Sequence, residues 1–186
     1  LLVGALLAGG HWRAHYAPRE RTAPLPAAGG AAALHADPAY PVRLWIAHPH
    51  QNLGALEERI GDLDGWLAAL GRLAGVEWPP LARFGPFVVP PAGELALGFD
   101  PASRRGVAAA RLHPAVAALA RAAGAVAGNP WLAGGAVPAG DGAAEVAWRG
   151  REWVLRTGGA PMPGTAAPAA EEGPAIARLV LGDGLR

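Results

Sequence analysis

"ELALGFDPASRRGVAAARL", residues 94–112, decides the fold. Two runs with apolar residues, "ELALGFD" and "RGVAAARL", flank "PASR". Pro101 and Ser103 suit a tight turn, so the stretch predicts a β-hairpin and therefore an antiparallel sheet. A second hairpin is predicted at "AEVAWRGREWVLR", residues 144–156, where Val146, Trp148, Trp153 and Leu155 flank "RGR".

Helical patterns surround these hairpins. "HPAVAALARAAGAVAGNP", residues 113–130, reads as a helix, with Pro114 in its first turn, Gly128 at its end and Pro130 as the stop. Before the first hairpin, "PVRLWIAH" at 41–48 alternates as a strand does. Asn52 then predicts an N-cap, with Leu53, Leu56 and Ile60 on one face. Beyond Gly61, Leu63, Trp66, Leu67, Leu70 and Leu73 form a further apolar stripe ended by Gly75. "WPPLARFGPFVVPP", residues 78–91, holds five prolines and cannot be regular throughout. "AIARLVLG", residues 175–182, predicts a last strand.

The order is strand, helices, hairpin, helix, hairpin, low-complexity stretch, strand. It predicts an α+β domain in which two or three helices pack on one face of an antiparallel sheet of hairpins. A ferredoxin-like split β-α-β unit is the nearest template. The expected organisation is a partial membrane anchor or signal-peptide end with its flank (1–21), a Pro/Gly/Ala linker (22–40), the domain (41–157), a low-complexity segment (158–174) and a C-terminal strand and tail (175–186).

The first segment, "LLVGALLAGG", carries no charge. Ten helical residues cover about half of a bilayer core, which needs ~20. Trp12 and Tyr16 are interface aromatics, and Arg13 helps to end the apolar run. Three readings stand: a truncated signal-anchor helix, the end of a cleaved signal peptide at Ala8–Gly10, or an apolar terminus docked on the domain. About ten more apolar residues ahead of Leu1 would complete a span. An anchor, a linker and a small domain point to a bacterial inner-membrane protein with its domain outside the cytoplasm.

Composition narrows the chemistry. All 16 basic residues are arginines, cysteine is absent and Ser103 is the one serine. That excludes cysteine nucleophiles, Schiff-base lysines and thiolate metal sites. The net charge of +1 gives no electrostatic footprint for nucleic acid. Arg149, Arg151 and Arg156 form a basic patch, which Glu145 and Glu152 dilute. No cofactor-binding motif occurs. Glu94 and Asp100 are six apart on one strand, about 20 Å, too far for a paired-carboxylate reaction.

Four patterns remain. His48 and His50 follow a strand, and on an extended segment an i, i+2 pair points one way, as shared metal ligation requires. His11 and His15 stand at i, i+4 without the residues that accompany a haem or zinc motif. Ala120, Gly124 and Gly128 place small residues along one helical face, for close packing within the domain or for self-association. Trp148 and Trp153, beside Arg149 and Arg151, form a candidate contact surface, with cross-strand packing as the plainer role. The sum is a membrane-tethered, non-enzymatic envelope domain that acts through protein contacts. The alternative is a metal-binding protein or metal-dependent enzyme using His48 and His50.

Overall fold

The computed structural model describes residues 19–25, 29–73, 92–139, 142–164 and 173–182. In chain order its elements are α1 (Gly30–Ala36), β1 (Val42–Ala47), α2 (Pro49–Ile60), α3 (Leu63–Leu73), β2 (Ala92–Asp100) and β3 (Arg105–Leu112). There follow α4 (Pro114–Ala127), α5 (Pro130–Ala133), β4 (Gly135–Ala139), β5 (Gly142–Arg149), β6 (Glu152–Thr157) and β7 (Ala177–Leu181). The seven strands form one sheet in the order β4-β5-β6-β3-β2-β1-β7, and every pairing is antiparallel.

The α+β class is what the sequence indicates, and both predicted hairpins form. β2 pairs with β3 from Ala92↔Leu112 to Asp100↔Arg105, with the turn at 101–104. In that turn the Ser103 hydroxyl donates to the Asp100 carboxylate. β5 pairs with β6 across Gly150–Arg151. β3 then accepts β6 as its outer neighbour, which joins the two hairpins into one sheet. The uniformly antiparallel pairing agrees with the split β-α-β template, but the seven strands outnumber its four.

Alternation along the strands separates two apolar layers. Leu44 and Ile46 face α2 and α3, where Leu53, Leu56, Leu63 and Leu67 bury against them. Further along the same face, Leu155, Val146, Val137 and Ala108 form a second cluster, and Leu112 meets Ala117 of α4. The opposite face presents Trp45, Ala96, Val107, Ala109 and Val154. This face is covered by α1 together with Tyr40 and Ala160.

The α1 helix corrects the expectation of a linker over 22–40. Ala31, Ala32 and Leu34 are fully buried, so α1 is core. It also places a helix on the sheet face opposite to α2, α3 and α4. Gly98 makes the approach possible. A Cβ there would lie 2.6 Å from the Leu34 Cδ1 and 3.0 Å from the Tyr40 Cγ. Upstream of α1, Ala23 pairs backbone to backbone with Ala175, and Arg21 pairs with the Asn52 side chain. The start of the low-complexity segment is built in too: Ala160 is fully buried, and the Pro163 carbonyl accepts from Arg149.

Two helix starts are informative. α2 begins at Pro49, three residues before the expected cap, so Asn52 is not an N-cap. It is fully buried and ties the Ala47 and Arg21 backbones together instead. α4 runs between Pro114 and Gly128 as predicted, and Gly128 adopts a left-handed conformation at φ 61°. Leu1–Gly10, His11, Trp12, Arg13, His15 and Tyr16 lie outside the described residues, as does the proline-rich 78–91 stretch. Among the described residues no helix is long and apolar enough to cross a membrane.

Candidate functional site

The strand ends near β1's C-terminus gather charge. Register places Glu94 of β2 beside Arg111 of β3, Arg111 beside Glu152 of β6, and Glu152 beside Arg149 of β5. Acid and base alternate across four strands, so each carboxylate has a guanidinium on a neighbouring strand. Arg111 lies 3.4 Å from Glu94, and Arg149 lies 3.3 Å from Glu152. Both glutamates are buried. Glu152 also accepts the Gly30 N–H at 2.6 Å, which fixes the first turn of α1 to the sheet. Burial pushes the Glu94 carboxyl above its ordinary pKa, against the opposing pull of Arg111.

Arg149, a candidate contact residue, therefore works inside the fold. It holds Glu152 and two carbonyls, Pro163 at 2.6 Å and Gly164 at 3.5 Å. Arg151 stands in the exposed turn, where its carbonyl accepts from the Leu112 N–H. Sequence reasoning took Glu152 only as a neutralising neighbour and missed the row. The signal lay in strand register: a turn at 101–104 puts Glu94 opposite Arg111.

His48 and His50 stand near the same sheet end, but not on an extended segment. His48 is the N-cap of α2 in the left-handed region at φ 41°, and His50 belongs to the helix. The His48 N–H bonds to the Gly93 carbonyl at 2.9 Å. The two rings meet edge to face with centroids 6.3 Å apart. Burial lowers the His48 pKa, and Arg21 and Arg19 add to the effect. Among the described residues no group of three His, Asp or Glu side chains is placed to hold a metal ion.

Trp148 and Trp153 face each other across β5 and β6. Their indole N–H groups donate to the Leu132 carbonyl at 2.7 Å and the Trp131 carbonyl at 2.9 Å. Arg121 of α4 sits over the Trp148 ring, 5.4 Å from its centroid. The tryptophans thus form the floor on which α4 and α5 rest. Gly124 completes this packing, because a Cβ there would collide with the backbone at Leu132 and Ala133. One glycine of the small-residue stripe is thereby spent on contact within the domain.

What this platform displays is apolar. Of the fourteen residues of α4, Ala117 and Gly124 alone are buried. Leu119 is 70% exposed and Val126 is 91% exposed. They lie seven residues apart, on one helical face with Ala115 and Ala122. Arg121 is the helix's one charge, and it is turned onto Trp148. Trp131 and Leu132 of α5 extend the exposed apolar surface. Against known proteins, the chain matches no family model, no curated protein and no solved structure.

Proposed function

We propose that this chain is a membrane-tethered, non-enzymatic domain of a bacterial envelope protein that acts by contact with protein partners. The observation that carries the reading is α4, whose large apolar side chains Leu119 and Val126 face solvent. Such side chains on a helix without acids or outward-facing bases favour an apolar neighbour. The tether reading rests on the charge-free Leu1–Gly10 and on Trp12, Arg13 and Tyr16 as its interfacial flank. The domain is proposed to lie outside the cytoplasm, at the inner membrane. Nucleic acid is not a proposed partner, given the balanced charge.

Site-specific photocrosslinking in cells tests the contact. A crosslinker at position 119 or 126 is expected to give discrete adducts, while one at the exposed Arg72 of α3 gives none. Adducts at all three positions alike, or at none, would remove α4 as the contact surface.

A further inference from the structure

We infer that β7 is a self-pairing edge through which two copies of this chain join their sheets. β7 ends the strand order and, among the described residues, has no strand on its outer side. The direction of its backbone groups follows from its hydrogen bonds. The Gly182 N–H bonds to the Pro41 carbonyl at 2.7 Å, and the Ile176 carbonyl accepts from Ala47 at 3.0 Å. Even-numbered residues of this strand therefore point their N–H and C=O groups inward, toward β1. By alternation Ala177, Leu179 and Leu181 point theirs outward.

The two edges of the sheet differ. β4 carries Pro138, which has no N–H to offer a neighbour. β7 has neither proline nor lysine, and its one charged side chain, Arg178, reaches back to the Gly173 carbonyl. An open edge with apolar side chains is a pairing template. Leu179 is 47% exposed and Leu181 is 62% exposed.

The strand is complementary to itself. Antiparallel pairing about a two-fold axis at Leu179 sets Leu179 against its own copy and Leu181 against Ala177. The large exposed side chain meets the small one at both ends. Arg178 falls opposite Val180, so no like charges oppose each other. This register engages all three outward-facing residues, and it stops where it must. The outward groups of Ala175 are already bonded to Ala23. Counting the described residues alone, any other antiparallel register leaves at least one outward residue without a partner. The axis stands perpendicular to the sheet, so Leu179 and Leu181 extend the apolar layer that contains Leu44 and Ile46 across the junction.

Sedimentation velocity of the 186-residue chain in mild non-ionic detergent tests the proposal, over about 1 µM to about 1 mM. The chain is expected to shift from monomer to dimer as concentration rises. Leu179→Lys and Leu179→Asp should each abolish the shift, and an equimolar mixture of the two should restore it as a heterodimer. Leu181→Lys is the second single variant and should weaken the dimer. Leu119→Lys on α4 should leave it intact. A chain that stays monomeric throughout, a Leu179→Lys variant that still dimerises, or a mixture that fails to recover the dimer would overturn the inference. Loss of the dimer in Leu119→Lys alone would assign self-association to α4 instead, leaving the contact reading of that helix standing.

Discussion

Removing the Glu152 carboxylate should release α1 from the sheet. Glu152→Ala deletes the acceptor for the Gly30 N–H and the partner of Arg149. A hydrogen bond to a charged group contributes about 1.5–3 kcal/mol. The ion pair adds about 1 kcal/mol at most, because the Arg149 side chain is 30% exposed and keeps its bonds to the Pro163 and Gly164 carbonyls. The expected cost is about 2–4 kcal/mol, a large share of a domain's ~5–15 kcal/mol. Hydrogen–deuterium exchange reads it locally. Ala33, whose N–H bonds to the Gly29 carbonyl, should exchange about thirtyfold to several hundredfold faster. Glu152→Gln keeps an acceptor oxygen and should cost about half as much. Unchanged protection of residues 29–36 in Glu152→Ala would refute the claim that this carboxylate anchors α1.

Other expectations follow from the same contacts. Gly124→Ala should destabilise the fold by about 1–2 kcal/mol, since the backbone clash with α5 outweighs the ~1 kcal/mol gain in helix propensity; urea denaturation followed by tryptophan fluorescence would report it, and a stabilised variant would contradict the packing described. The buried Glu94 binds its proton more tightly folded than unfolded, so stability should fall as pH rises from the ordinary glutamate value of 4.5 through the raised folded value. Glu94→Gln should remove that decline, and a variant whose urea midpoint keeps the same pH slope would show that another group causes it. His48→Gly should stabilise the protein by about 1 kcal/mol, because a left-handed backbone strains a side-chain-bearing residue. A lower thermal midpoint in that variant would mean that the His48 ring contributes more to the fold than its strain costs.

The parts legible in sequence are those with local signals. The first hairpin was readable because Pro101 and Ser103 sit between two strand-like runs. The His-Pro pair at 113–114 marked α4, and the same pair at 48–49 opens α2, so the start of α2 was readable too. Asn52 is not the cap there, because a cap preference is weaker than the burial of an amide that ties two backbones together. α1 was not legible. "GAAALHA" has tether-like composition, and what makes it a helix against the sheet is Glu152, 122 positions from Gly30. β4 escaped for a related reason. Its five residues include Pro138 and a glycine at φ 135°, and only pairing with β5 extends them. The histidines and tryptophans were singled out by type, but their roles depend on backbone conformation and on α5, which no spacing rule encodes.

Membrane fractionation of the full-length chain in a bacterial host, with an alkaline carbonate wash, tests the proposed tether most directly. The account predicts that the protein stays in the washed membrane pellet. Recovery in the soluble fraction would contradict it.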